Sequence, residues 1–219
     1  MPISAYVQAT GVILLAGVAL FASAGAVTIA SFWIYLAIFA VVIVASFLRL
    51  DPGLLRERMR PAGKSPPLSL RLFTLMLVLH WVVAGLDRGR LHWSDTVPAW
   101  LQAVGLAVFA AGYALTLWAM AVNPFFSSVV RIQTDRGQYV VTRGPYAIVR
   151  HPGYTAGIAV VVASGIALGS WLSAAALIIS SVPFLLYRTI TQDRVLEAEL
   201  PGYRDYVRRV RWRLCPGVW

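Results

Sequence analysis

The sequence predicts an all-α fold: a polytopic membrane bundle of about six transmembrane helices, with five as the alternative, a cytosolic interfacial segment and amphipathic C-terminal helices. Composition is the first reason. Of 219 residues, 59% are hydrophobic and 13% are charged, which is about half the charged fraction of a soluble domain. Charge distribution is the second reason, because residues 1–48, 72–86, 96–130 and 151–187 contain no Asp, Glu, Lys or Arg. About 20 apolar residues allow one helix to cross a bilayer.

The uncharged runs divide into six predicted spans. A segment that crosses a bilayer must satisfy its own backbone polar groups, so each span is expected to be helical. The third span is short and the last two could form a tight hairpin, which keeps five spans as the alternative. The predicted spans cover residues 7–26, 29–48, 70–86, 99–122, 154–168 and 171–187.

The basic residues predict on which side the loops lie. Of 19 Lys and Arg residues, 17 fall in the segments 49–71, 123–153 and 188–219, and the other two are Arg88 and Arg90. Cytoplasmic loops of membrane proteins carry the excess of basic residues. We therefore expect both termini and the long polar segments in the cytoplasm. An Ala-rich chain with 18 Arg and one Lys also indicates a bacterial protein, and hence the inner membrane.

Composition argues against several classes of function. The net charge of +10 would suggest nucleic-acid binding in a soluble protein, but here it follows from sidedness, so we expect membrane lipids and no nucleic acid as partners. The lone Cys215 excludes an intrachain disulfide framework, and the three histidines lack metal-ligand spacing, so no metal is expected. No acidic residue lies within a span, which argues against a proton-relay transporter. His80 is expected to be a hydrogen-bonded packing residue, with a cavity-lining role as the alternative.

Polar and aromatic residues concentrate in the second part of the chain. We divide the chain into the N-terminal transmembrane helices, 1–122, and a core, 123–219. Segment 123–153 is too polar to span and too hydrophobic for a disordered loop, so we expect it to fold at the membrane interface. After the last span, a helix should break at Pro201–Gly202 and be followed by one that lies on the interface or covers a site. The 51–70 loop is either solvated or helps to cover the same site.

The stretch "GPYAIVRHPGY", residues 144–154, stands directly before the last uncharged run. Its glycines and prolines allow close backbone turns, and its aromatic rings offer stacking surfaces. His151 and a nearby arginine can bind a carboxylate. Because the uncharged hairpin that follows brings its two ends together, Tyr154, Arg188 and Gln192 are expected to share one layer.

Three motifs in a fixed order carry a resemblance. They are "VVTRGPYAIVRHPGY", followed by the hydrophobic hairpin, then "QDRVL" and "YRDYVRRVRWRLCPG". This order resembles the isoprenylcysteine carboxyl methyltransferase family, which belongs to a wider group that includes phospholipid methyltransferases. The family is marked by Arg-His-Pro-x-Tyr, a later Glu-Glu-x-x-Leu and a Tyr-x-x-Tyr near the C-terminus. The resemblance covers about residues 123–219, whereas residues 1–122 match only as generic membrane helices.

The resemblance implies a multi-pass methyltransferase whose S-adenosyl-L-methionine pocket lies at the cytosolic membrane face. It implies that Arg188 orients the substrate, which we expect to be a lipophilic acid of the isoprenylcysteine type, O-methylated at its carboxylate. Arg188 and Asp193 are the two catalytic candidates. Carried over by position, an upstream cofactor contact falls near Arg131 or Gln133, of which Gln133 is taken as the candidate. The other contacts are Gln138, Tyr139, Val140, Val141, Tyr146, Arg150, His151, Pro152, Gly153, Tyr154 and Gln192.

The second motif departs from the family pattern. Gln192 and Asp193 stand where the family has two glutamates. A carboxamide can accept a hydrogen bond but cannot neutralise a sulfonium, so Asp193 is a candidate for the missing charge. Neighbouring side chains on a helix point about 100° apart. We therefore expect Gln192 to face the cofactor and Asp193 to pair with a nearby arginine.

Alternatives to this function remain. The acceptor could instead be a phospholipid amine or a thiol. A second class is an NADPH-dependent membrane reductase of the sterol type, whose members carry Asn where this chain has Gly153 and lack the preceding proline, so Pro152 argues against it. A non-catalytic membrane scaffold is the third class.

Overall fold

The computed structural model of the chain describes residues 3–59, 61 and 68–219, and within these ranges the regular structure is helical, without strands. This confirms the all-α class that the hydrophobic runs predicted. Short helical turns also occur at Asp87–Leu91, Thr134–Arg136 and Gly144–Ala147. The α-helices are α1 (Ile3–Ala24), α2 (Ala30–Arg49), α3 (Pro52–Met59), α4 (Leu68–Leu86), α5 (Ala99–Val122), α6 (Pro152–Ala167), α7 (Trp171–Glu199) and α8 (Tyr203–Arg209).

Four of these helices are long and apolar enough to cross a membrane: α2, α4 with the turn that extends it, α5 and α7. The apolar stretches Ala9–Ala24, within α1, and Pro152–Ala167, which is α6, are shorter. With 16 residues, α6 is about 24 Å long at 1.5 Å per residue. Only residues 168–170 separate α6 from α7, so the two helices form the predicted hairpin. The chain is a multi-pass membrane protein.

Two predicted features outside the spans can be compared with the structure. The predicted break at Pro201–Gly202 is confirmed, because α7 ends at Glu199 and Gly202 adopts φ 81° ahead of α8. The 51–70 segment is partly helical, since α3 occupies its first half. Residues 60 and 62–67 of that segment lie outside the described residues.

Glycines allow the last three spanning helices to approach one another closely. A Cβ added to Gly105 in α5 would lie 2.7 Å from the backbone nitrogen of Ala167 in α6. A Cβ added to Gly165 in α6 would lie 2.2 Å from the backbone nitrogen of Ala174 in α7. Without a hydrophobic driving force inside lipid, such close packing of small residues stabilises helix association. The hairpin that carries the site is therefore held rigidly against α5.

A buried hydrogen-bond network joins the helices within the membrane. His80 Nε2 lies 2.8 Å from Ser164 Oγ, and its Nδ1 contacts Ser173. Tyr35 lies 2.9 Å from the same Ser164 hydroxyl and accepts a hydrogen bond from Trp81 Nε1. His80 is 2% exposed and does not line the cavity described below. The structure thus agrees with the packing interpretation of this histidine.

The two ends of the bundle differ in character. At one end, the Asp87 carboxylate accepts hydrogen bonds from Ser94 and Ser170 and ties α4 to the start of α7. Exposed tryptophans surround this end, as is typical of a membrane–water interface; they are Trp33, Trp93, Trp100 and Trp171. The opposite end, called the basic face here, carries α3, the 123–153 segment and α8.

Candidate functional site

A cavity of about 340 Å³ opens between the basic face and the spanning helices. Its lining falls into two parts. The spanning helices α4 to α7 contribute an apolar part, made of Phe73, Leu77, Tyr113, Val160, Val161, Phe184 and Leu185. The basic face contributes a polar and aromatic part, which includes Gln138, Tyr139, Tyr146, Arg150, His151, Tyr154, Gln192, Tyr203 and Tyr206. The cavity can therefore hold a molecule that is polar at one end and apolar at the other.

Three side chains cross the boundary between these two parts. The Tyr154 hydroxyl donates to Gln192 Oε1 at 2.8 Å and accepts from Arg188 Nε at 3.2 Å. Tyr154 lies in the first turn of α6, whereas the other two lie near the end of α7. The antiparallel hairpin therefore brings them into one layer, as the sequence predicted.

Asp193 holds the polar part together from outside the cavity. Its Oδ1 accepts from His151 Nε2 and from the Tyr203 hydroxyl, each at 2.9 Å. Its Oδ2 lies 2.8 Å from Arg213 Nε and 3.3 Å from Arg150 Nη2. The residue is 1% exposed. One carboxylate thus fixes the motif segment, α7, α8 and the C-terminal segment relative to one another.

The backbone of the C-terminal segment reinforces this arrangement. The Arg150 amide donates to the Trp212 carbonyl and the His151 amide to the Arg213 carbonyl, both at 2.9 Å. The Thr155 hydroxyl donates to the Leu214 carbonyl at 2.7 Å. The turn that precedes α6 is consequently fixed from two sides before any ligand binds.

Burial lowers the pKa of the His151 imidazole, although the Asp193 carboxylate opposes that shift. The ring is therefore neutral at pH 7, and its Nε2–H donates to Asp193. Arg150 supplies the positive charge beside it, since a guanidinium stays protonated in proteins. A carboxylate in this part of the cavity would interact with Arg150 rather than with a charged histidine.

Eleven of the fourteen predicted site residues line the cavity. The structure brings together Arg188, Gln138, Tyr139, Val140, Val141, Tyr146, Arg150, His151, Gly153, Tyr154 and Gln192. The other three are Gln133, Pro152 and Asp193. Asp193 does not line the cavity, and it pairs with Arg150, which does, and with Arg213.

Gln133 and Pro152 have structural positions instead. The Gln133 side chain donates to the Phe125 carbonyl at 2.7 Å and accepts from Arg136 at 2.6 Å. Gln133 is 1% exposed. Gln138 lines the cavity, and its side-chain oxygen accepts a hydrogen bond from the Gln133 backbone amide at 2.7 Å. Pro152 begins α6, where its missing N–H is no loss in a first helical turn.

Several lining residues are not among the predicted site residues. Arg58 comes from α3, in the segment that the sequence left open as either solvated or covering a site. Asn123 lines the cavity and donates to the Tyr146 hydroxyl at 3.0 Å. Ser127 and Ser128 join α3 to the cavity rim. Tyr203 and Tyr206 of α8 also line the cavity, and their Tyr-x-x-Tyr spacing is a sequence motif that could have indicated them. Arg58 has no such motif around it.

The polar part fits S-adenosylmethionine in two respects. Among the described side chains, Arg150 Nε is buried without a hydrogen-bond partner, so it can donate to a carboxylate in the cavity. Aromatic rings of Tyr139 and Tyr146 add flat surfaces of the kind that a nucleobase stacks on.

Comparisons with known proteins agree with the motifs. The phospholipid methyltransferase family model matches residues 100–197. The nickel-cobalt-cadmium resistance protein NccN of Alcaligenes xylosoxydans xylosoxydans is 28% identical over 163 residues, which are 69% of this chain and 70% of that protein. Metal resistance is what the name of that protein states.

The fold is similar to a solved structure of the eukaryotic intramembrane Ras methyltransferase, an isoprenylcysteine carboxyl methyltransferase. The TM-score is 0.65 at 20% sequence identity, and the match covers 94% of this chain and 73% of that one. Similarity therefore extends over α1 to α4 as well, where the sequence motifs gave no resemblance. The resemblance inferred from the three motifs is confirmed as a similarity: the family model matches residues 100–197, and the fold matches that of the solved methyltransferase.

Proposed function

We propose that this chain, which is similar to the membrane methyltransferases that include the phospholipid and isoprenylcysteine carboxyl enzymes, transfers a methyl group from S-adenosylmethionine to the carboxylate of a lipophilic acid. One observation carries the proposal. A single cavity joins a polar and aromatic part at the basic face to an apolar part among the spanning helices. A soluble cofactor and a membrane-dissolved acceptor can meet only in such a place.

The residues of the polar part would hold the cofactor. Arg150 Nε donates toward its α-carboxylate, and Tyr139 and Tyr146 face its flat base. Gln138, Val140, Val141, His151 and Gly153 complete this wall, while Gln192 and Tyr154 form its border with the acceptor. Asp193 keeps Arg150 and His151 in position, and it acts through them rather than on a ligand.

The chemistry needs little help from the protein. When bound, S-adenosylmethionine supplies the methyl group: an acceptor carboxylate oxygen forms a bond to the methyl carbon while the sulfur–methyl bond breaks and its electron pair returns to sulfur. No proton is transferred, so no general base is required. The chain contributes proximity, orientation and exclusion of water. Arg188 orients the acceptor carboxylate, since it is held in place by Tyr154 and the Ser128 carbonyl.

Two other acceptors are compatible with the same cofactor wall, namely a phospholipid amine and a thiol. Each needs loss of a proton, either before or after methyl transfer. Among the described residues that line the cavity, none is Asp or Glu, and His151 already donates to Asp193. The lining therefore favours an acceptor that reacts without a base.

Ligand binding by the purified full-length chain tests the proposal. Isothermal titration calorimetry in detergent should detect S-adenosylhomocysteine and not NADPH. The Tyr154→Phe variant should bind more weakly, because the hydroxyl that connects Gln192 to Arg188 is lost. Tyr187→Phe is the matched control, since Tyr187 is exposed on the same helix pair. NADPH binding without S-adenosylhomocysteine binding would replace this proposal with the reductase class.

A further inference from the structure

Arg58 reaches the cavity from a helix that folds back onto the basic face. The last turn of α3 carries it, and its guanidinium lies 5.0 Å from the centroid of the Phe126 ring. The neighbouring Glu57 accepts from Arg131 Nη2 at 3.1 Å and from the Ser127 hydroxyl at 3.0 Å. These contacts hold α3 as a cover over the rim of the cavity.

Ser128 connects Arg58 to Arg188. Its hydroxyl donates to the Arg58 carbonyl at 2.9 Å, and its own carbonyl accepts from Arg188 Nη2 at 2.8 Å. Both guanidinium groups line the same cavity. Burial, together with the neighbouring Arg188 cation, lowers the pKa of Arg58, as expected of a partly buried cation near a like charge.

The positive charge of this pair is not balanced by the protein residues that the structure describes. The salt bridges among them give Arg131 the carboxylates of Glu57 and Asp135, and Arg150 that of Asp193, but they include neither Arg58 nor Arg188. An arginine has five N–H donors, and the two protein bonds of the Arg188 guanidinium use two of them. Both residues are partly buried, and a charge withdrawn from water without a partner is costly. The remaining donors therefore favour an anionic ligand.

We propose that Arg58 and Arg188 form a two-arginine clamp that binds an oxyanion on the head of the lipophilic acceptor, which makes Arg58 a specificity-determining residue. Arg188 contacts Tyr154, which is bonded to Gln192 of the polar part, and its guanidinium lies 5.8 Å from the ring centroid of Phe184 in the apolar part. The clamp therefore lies where the head of a lipid-like molecule would be placed. Arg58 stands outside residues 100–197, the region that the family model matches. This inference rests on the proposed methyltransferase function.

The oxyanion could come from either of two sources. In a lipophilic acid it is the carboxylate that is methylated, and its charge disappears in the methyl ester. In a phospholipid it is the phosphodiester beside the head group, and its charge persists in the product. With the first source, the clamp distinguishes substrate from product by charge, so methylation itself would weaken binding and release the ester.

Affinity for matched acid and ester probes tests the clamp. The full-length chain in detergent is titrated with N-acetyl-S-farnesylcysteine and with its methyl ester, each with and without S-adenosylhomocysteine. The native chain should bind the acid at least roughly tenfold more tightly, the effect of one charge-assisted hydrogen bond. Arg58→Gln should remove most of this preference and Arg58→Lys should keep part of it. Arg56→Gln, an exposed arginine on the same helix, should keep all of it.

A second pair of probes distinguishes the sources of the oxyanion. Short-chain phosphatidylethanolamine is compared with the diacylglycerol of equal chain length. A preference for the phospholipid that both Arg58→Gln and Arg188→Gln abolish supports the clamp with a phosphodiester as the ligand. Equal affinity for charged and neutral members of both pairs in the native chain would overturn the clamp. So would a preference that survives Arg58→Gln.

Failure of the clamp and failure of the proposed function give different results. Arg58→Gln is expected to leave S-adenosylhomocysteine affinity unchanged, because the clamp binds the acceptor and not the cofactor. If the native chain binds no S-adenosylhomocysteine, the proposed function is contradicted. The acid and ester titrations carried out without S-adenosylhomocysteine still test the clamp in that case.

Discussion

Gln192 and Asp193 are neighbours in α7 but face opposite sides of the cavity wall. Gln192 lines the cavity and accepts from the Tyr154 hydroxyl at 2.8 Å. Asp193 is 1% exposed and is bonded to His151, Tyr203 and Arg213 behind that wall. The helical rotation of about 100° between them thus separates a residue positioned to contact a ligand from one that positions other residues.

Replacement of Gln192 should change cofactor binding according to the chemistry of the new side chain. Gln192→Leu should weaken S-adenosylmethionine binding by roughly 1–3 kcal/mol, because a polar group would lose its partner. Gln192→Glu should preserve or tighten it, and it should favour S-adenosylmethionine over S-adenosylhomocysteine, since only the former carries a positive sulfur. Calorimetric titration with both ligands measures this. Glu197→Leu, an exposed position on the same helix, is the control, and equal losses in both leucine variants would contradict the assignment.

Replacement of Asp193 should act on stability. Asp193→Asn removes the charge that balances Arg150 and Arg213, and breaking a buried ion pair in this way costs about 3–5 kcal/mol. Asp205→Asn is the matched control because its pair with Arg208 is exposed, where ion pairs contribute about 0–1 kcal/mol. Thermal unfolding in detergent should show a clear drop for the first variant only. An unchanged midpoint with lost cofactor binding would instead place Asp193 on the ligand.

The features that the sequence predicted are those encoded locally. The spans follow from uncharged runs, and the turn before α6 follows from glycines and prolines that stand within eleven residues of each other. Arg58 could not be predicted, since its position depends on contacts between residues 70 apart, such as Ser128 with Arg58. The backbone pairing of Arg150 with Trp212 leaves no sequence pattern because any residue provides an amide and a carbonyl.

The sequence also could not show which of two nearby glutamines lines the cavity. Gln133 and Gln138 flank one short turn, and both were expected to contact the cofactor. The structure uses Gln133 to hold the Phe125 carbonyl and leaves only Gln138 on the cavity. Which of two identical side chains turns inward depends on the path of the loop, and that path is fixed by partners distant in the sequence.

His151 should make the fold sensitive to acid. Its folded-state pKa is lowered by burial, whereas in the unfolded chain it titrates near pH 6.5. Above about pH 6.5 both states are neutral, so His151 adds no pH dependence. Below that pH the unfolded state binds the proton more readily, and the free energy of unfolding falls. Asp193, Arg150 and Arg213 are the charged groups that act on the ring.

The His151→Gln variant isolates this contribution. Thermal unfolding midpoints of the native chain and the variant are measured in steps from pH 8 to pH 5. The native midpoint should fall more steeply below about pH 6.5, so the two curves should converge or cross as the pH drops. Parallel curves would show that the folded state does not disfavour the protonated ring. A native midpoint that rises relative to that of the variant as the pH falls would show the same.

Cys215 provides a direct test of membrane sidedness. It is the sole cysteine of the chain and it is exposed, close to the segment that pairs with the turn before α6. Because 17 of the 19 basic residues fall in the segments 49–71, 123–153 and 188–219, we expect the basic face, with the cavity mouth, to be cytoplasmic. A membrane-impermeant maleimide should therefore label Cys215 only after cells are permeabilised. The Cys215→Ser, Asp95→Cys double variant moves the single thiol to an exposed position at the other end, and it should be labelled in intact cells. Labelling of the native Cys215 in intact cells would invert the topology and place the cavity mouth outside, where S-adenosylmethionine would not reach it.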